Sequence, residues 1–148
     1  MIAKFSLNKR FRRPVINVLC GGEICLALLD TGANFPVFTL GQQKMDEMGG
    51  RSLRREINFG GFGGGSRGIL YRVEVDFGPF RYVDLPVICA YNANMPFAFI
   101  LSATMFTGFS YTIDDAAHSL TVNTNTDAAD LRMRINDGLG GFRILTVH

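Results

Sequence analysis

Asp30 is the residue whose setting most invites chemistry. In "ALLDTGANFPVF" (27–38) an apolar run leads straight into its carboxylate, and Thr31, Gly32 and Ala33 follow before a second apolar run begins. A charge abutting a buried strand is costly unless it is paired, hydrogen-bonded or protonated. An aspartate placed there can accept hydrogen bonds from backbone amides two and three residues on, so its own loop can hold it. Thr31 adds a hydroxyl able to bond inward, and Gly32 permits a tight bend and the close approach of another backbone. An ordinary Asx turn capping a strand would carry the same residues, so the tripeptide alone is a weak signal.

The elements around it must position that carboxylate, and they read as strands. "PVINVL" (14–19) and "ICLALL" (24–29) flank Gly21-Gly22, the pattern of a hairpin with a two-glycine turn. "PVFTL" (36–40) is a further short strand, and "GQQKMDEMGG" (41–50) is the best local helix, closed by Gly49 and Gly50. "LRREINF" (53–59) and "ILYRVEVDF" (69–77) alternate apolar and polar residues and are joined by "GGFGGGSRG" (60–68). Gly78-Pro79 turns the chain into "RYVDLPVICA" (81–90); "FAFIL" (97–101), a helical turn at "SATMF" (102–106), "FSYTI" (109–113) and "SLTV" (119–122) follow. Residues 123–130, "NTNTDAAD", form a polar linker, and "LRMRI" and "FRILTV" bracket "NDGLGG" as a terminal hairpin. The sum is an all-β domain, closed or nearly closed, with one or two short helices.

Composition narrows the function classes. Apolar residues make up 47% of the 148 and charged residues 19%, which argues against disorder and for one domain with a real core. The net charge of +2 does not by itself imply nucleic acid. A denser basic cluster opens the chain, Lys4, Lys9, Arg10, Arg12 and Arg13, and reads first as a solvated arm or strand edge. Cys20, Cys25 and Cys89 form no Cys-x-x-Cys, and His118 and His148 lie far along the chain, so buried free thiols are expected rather than a metal site. No signal peptide or membrane span is evident, and a soluble, cytoplasmic protein is expected. Gly63, Gly65 and Gly68 match the dinucleotide spacing, but a strand follows where that motif needs a helix, and no Gly-Lys-Ser/Thr is present. No cofactor is expected.

With these residues in view, the chain resembles the retropepsin-like aspartic proteases, the single-lobe family that includes the retroviral enzymes. The likeness runs through "RPVINVLCGGEICLALLDTGAN" (13–34), with the family's Arg-Pro entry, strand, hairpin and catalytic strand, then through the glycine-rich hairpin at 60–68, and ends with "FILSATMF" (99–106). It implies a small closed acid-protease β-barrel over residues 1–123, with 124–148 as an extension packed on the same domain or at a dimer interface. It also implies a homodimer, because the chain holds one Asp-Thr-Gly and the chemistry needs two carboxylates. Asp30, Thr31 and Gly32 would then be the catalytic residues. Ala33 and Asn34 with Gly61, Phe62 and Gly63 of a flap would bind a peptide or protein substrate.

The sequence departs from the family at three places. Ser102 stands where the family has glycine, small enough to fit beside the loop yet with extra atoms to crowd it. Asn34 and Ala103 replace an aspartate and an arginine of the retroviral members, so the network around the arginine matched by Arg13 cannot form in the same way. The third is the extension itself, whose hairpin would add strands to a dimer sheet or cover an edge. Two rivals to an endopeptidase follow: an inactive dimer of the same fold that binds peptides or oligomerises, and a module binding nucleic acid through the basic arm, the less favoured of the two.

Overall fold

A computed structural model describes residues 1–61, 64–135 and 139–147. The chain forms β1 (Ile2–Ser6), β2 (Val15–Cys20), β3 (Glu23–Asp30), β4 (Val37–Phe38), α1 (Gln42–Glu47), β5 (Arg51–Gly61), β6 (Gly64–Phe77) and β7 (Phe80–Ala90). Then come β8 (Phe99–Ser102), a 3₁₀ turn (Ala103–Phe106), β9 (Ser110–Asp114), β10 (Ser119–Asn123), β11 (Asp130–Ile135) and β12 (Gly140–Thr146). Strands β7, β4, β8, β3, β2 and β6 pair in that order, and β6 pairs back onto β7, so the six close into a ring. β5 lies outside the ring on β6, while β1, β10 and β9 make a separate three-stranded sheet.

The β2–β3 hairpin turns at Gly21 and Gly22, with φ of 58° and 79°, the left-handed pair that a two-residue turn requires. A Cβ at Gly21 would also lie 2.7 Å from the Met48 backbone, so the turn packs directly on the end of α1. That helix buries Met45 and Met48 against the barrel, and Tyr71 of β6 donates its hydroxyl to Asp46 at 2.8 Å. Glycine closes the helix as expected, with Gly49 at φ 88°.

Continuous apolar runs arise because two faces of the same strands are covered. Ala27, Leu29, Phe38, Phe99 and Leu101 point into the main core, whereas Val37 and Ile100 join Phe59, Ile88 and Ala90 in a second cluster. Leu28 packs with Val15 and Phe97 in a third. The alternate residues of β3, β4 and β8 thus build the barrel interior and, on the other face, the wall of a cleft.

Three expectations change. "PVFTL" contracts to Val37–Phe38; beyond it Thr39 still donates its amide to the Ala98 carbonyl at 2.9 Å and turns its hydroxyl onto the Phe97 and Ala98 carbonyls. The glycine-rich segment is largely strand, since β5 reaches Gly61 and β6 starts at Gly64; Phe62 and Gly63 lie outside the described residues. The first five cluster positions also divide. Lys4 sits in β1, an edge strand paired to β10, while the other four cations occupy the loop that follows.

The terminal hairpin extends the large sheet, with β12 antiparallel to β7 from Arg143↔Val83 to Thr146↔Phe80. Arg72 fastens it, donating to the carbonyls of Asp84, Leu139 and Gly141. No described helix is long and apolar enough to cross a membrane.

All three thiols are free and buried. Burial pushes Cys20 up from 9.0 to about 12 and Cys89 to about 11, and raises Cys25 as well. Each stays protonated in the folded chain at a pH where the unfolded chain ionises. Their contribution is therefore whole below about pH 9 and is lost as pH climbs toward 11–12. A thermal-melt series is expected to show stability falling above pH 9, by about 1 kcal/mol for each of Cys20 and Cys89 at pH 10, with alanine at these two positions flattening the slope. A melting temperature level from pH 8 to 10.5 would contradict this.

Candidate active site

Asp30 is the last residue of β3 and lies beside Ser102, the last residue of β8, in a parallel pair. Beyond them the two chains part, and the Asp30 loop turns back. The Gly32 amide donates to Asp30 Oδ1 at 3.0 Å, and the Ala33 amide donates to the Asp30 carbonyl at 3.1 Å. The loop therefore holds the carboxylate as the Asx geometry predicts. Its side chain remains 37% exposed. Thr31 is exposed and its hydroxyl bonds to no described residue, so the inward bond expected of it is absent among the described residues. A Cβ at Gly32 would meet only Asp30 Oδ1, at an ordinary 3.5 Å, so the bend itself does not require glycine there.

Ser102 does not crowd the loop. Fully buried, it donates its hydroxyl to the Ala33 carbonyl at 2.6 Å, pairs with Thr104 Oγ1 at 2.8 Å and accepts from the Thr104 amide at 3.2 Å. The extra atoms tie the loop to the 3₁₀ turn that follows β8, whose first turn they cap. Ser102→Ala would strand the Ala33 carbonyl and uncap the turn, and is expected to cost about 1–2 kcal/mol in urea unfolding. A loss below a few tenths would show that the serine only fills space.

A cleft of about 570 Å³ opens at Asp30. Gly32, Ala33 and Asn34 line it together with Leu28, Phe35, Val37 and Ile100, so the loop residues chosen from the sequence do meet at one place. Phe59 and Gly60 of β5 and Met95 complete its walls. Gly61 ends β5 opposite Gly64, one step beyond the cleft-lining Gly60. Phe35 lines the cleft, Phe38 is in the barrel core and Phe97 packs beneath with Phe11 at 5.1 Å between ring centres.

Arg13 is the functional neighbour that sequence reasoning put elsewhere. Its Nη2 lies 3.6 Å from Asp30 Oδ2, so the arginine of the Arg-Pro entry turns to the Asp30 carboxylate itself. No motif spacing signals this contact across 17 positions. The apolar walls come from the continuous runs "ALL", "PVF" and "FIL", whose strands have two covered faces.

Neither a protein-family model nor a curated protein matches the sequence. Among solved structures, the chain is similar to a retropepsin-like aspartic protease from Rickettsia conorii, with a TM-score of 0.56. The two share 15% identity over 83% of this chain and 90% of that one. With its closed ring, its appended arm and this likeness, the chain has the all-β fold of the retropepsin-like aspartic proteases.

Proposed function

We propose that this chain is one half of an aspartic endopeptidase, active when two copies bring their Asp30 carboxylates together. The observation that carries the reading is the placement of Asp30. It is held by its own loop, partly exposed, at the edge of an apolar cleft bordered by the β5–β6 arm. The exposure of Thr31, whose hydroxyl bonds to no described residue, and of Gly32 supports it further, since both have room to meet a second chain or a substrate backbone.

Two carboxylates within hydrogen-bond distance share one proton, because like charges that close resist double ionisation. The ionised partner takes a proton from a water whose oxygen attacks the peptide carbonyl carbon. The protonated partner gives its proton to the carbonyl oxygen, and the tetrahedral adduct then breaks at the C–N bond as the nitrogen is protonated. No covalent enzyme intermediate forms. The pair titrates as a unit. Thr31 would brace the loops across the axis, Ala33 and Asn34 would hold the peptide, and Gly61, Phe62 and Gly63 would cover it.

The Arg13–Asp30 contact favours a second reading, a peptide-binding or oligomerising dimer without catalysis, because an ion-paired carboxylate oxygen is less free to engage water. Incubating the full chain with a diverse peptide pool and sequencing the cuts separates the two. Cleavage whose rate falls with the square of chain concentration at high dilution is expected. Binding without cuts would favour the second reading, and a rate linear in concentration down to full dissociation would exclude a shared pair.

A further inference from the structure

Loop residues 7–14 carry cations that the proposed chemistry leaves unexplained. Lys9, Arg10, Arg12 and Arg13 fall within five positions and are all exposed, yet the loop is not a loose arm. The Asn8 amide donates to Val15 at 2.7 Å, and the Arg10 amide donates to the Asn8 side chain at 2.9 Å. Phe11 is set against Phe97 in the cluster that includes Leu28 and Met95, both cleft-lining residues. The aromatic anchor points inward, so the charges are presented outward from a fixed base.

Those charges line a second groove, of about 420 Å³, walled by Lys9, Arg12 and Arg13. Asp115 is the one carboxylate among its described lining residues, and His118 stands beside it. Lys9 and Arg12 form no ion pair with any described residue; of the loop's cations only Arg13 does, with Asp30. Arg13 lines both this groove and the Asp30 cleft, which makes it their common wall.

We infer that the basic groove is an extension of the substrate cleft, selecting peptides that carry acidic side chains on one side of the scissile bond. This inference rests on the endopeptidase reading for the word scissile, but not for the binding preference. Fixed, unpaired cations beside a cleft favour carboxylates by complementarity, and steer them in at low salt. An acidic side chain reaching Arg13 would also compete for the guanidinium now at Asp30 Oδ2, releasing that oxygen as the substrate seats. The preference and the uncovering of the carboxylate are thus coupled through one side chain. A nucleic-acid strand could be drawn by the same charges. The shared wall with an apolar, peptide-sized cleft favours the peptide.

The test uses matched peptide sets that differ only in bearing Asp and Glu, or Asn and Gln, at positions flanking the cut. Full-length protein is expected to favour the acidic set by about tenfold in kcat/KM, with the ratio collapsing in Arg12→Glu, in Lys9→Glu and in high salt. Separately, anisotropy reads binding of acidic and neutral peptides, with a non-hydrolysable link at the scissile position, to the Asp30→Asn chain. Equal cutting of both sets, or a ratio untouched by charge reversal in variants that melt as the parent does, overturns the inference and leaves the endopeptidase standing. Selective binding of acidic peptides with no cleavage by the parent supports the groove and removes the hydrolysis. An oligonucleotide that binds the groove more tightly than the acidic peptides overturns it in favour of nucleic acid.

Discussion

Replacing Asp30 with asparagine is expected to leave a folded chain whose kcat on any peptide it cuts falls by roughly 10³-fold or more, the scale of lost acid–base catalysis. The amide keeps nearly the same shape and can still accept the bond now made by the Gly32 amide at 3.0 Å. It cannot take a proton from water or share one with a twin. The exposed Arg13 contact disappears too, but such pairs contribute less than about 1 kcal/mol, so stability should barely move. Mixing offers a sharper form of the experiment. When parent and variant chains are co-refolded in equal amounts, random pairing leaves about a quarter of the dimers with both carboxylates. Specific activity per parent chain should then drop by about half. Undiminished cleavage by the pure variant would remove Asp30 from the reaction.

Phe38→Ala carries the largest expected cost in stability. Phe38 is fully buried in β4, which is only two residues long and joins β7 on one side to β8 on the other. Its ring meets Phe99 at 5.0 Å between centres. Truncation opens a cavity at the seam that closes the barrel, and a buried Phe→Ala change typically costs about 3–5 kcal/mol. Against the roughly 5–15 kcal/mol that holds most domains folded, that is a large share. Urea titration should show the midpoint fall in proportion, with cleft binding weakened because Val37 is the next residue of the same strand. A loss under about 1 kcal/mol would show that the seam is not held by packing.

Local chemistry made much of this legible. The Gly21-Gly22 hairpin, the short helix closed by Gly49 and the self-held Asp30 loop each depend on residues within a few positions of one another. What stayed hidden depends on partners far along the chain. The basic start of the chain read as a solvated arm or strand edge, and only its mate β10, with Ile2 opposite Asn123, makes β1 an edge strand. The Thr39 hydroxyl is taken up by the distant Phe97 and Ala98 carbonyls. Whether Ser102 fits beside the loop or crowds it stayed open in the sequence, because the Ala33 carbonyl that receives its hydroxyl is 69 residues away. Arg13 matched a family position, but the sequence alone could not say which carboxylate it would face.

The ladder joining β6 to β7 runs out at Gly68, opposite Ala90. A side chain at Gly68 would strike the Cys89 carbonyl, so the crossing point is pinned by a backbone contact that only glycine permits. Past it, β5 and β6 pair with each other, and Tyr91 ties them to the chain after β7, its amide donating to the Arg67 carbonyl at 3.0 Å and its hydroxyl to Glu56 at 2.9 Å. Swinging the cantilever outward would break the Tyr91 bonds and expose Phe59 yet spare every strand pairing of the ring, a local opening cheaper than global melting. Loosening of the arm and melting of the barrel are consequently governed by separate free energies.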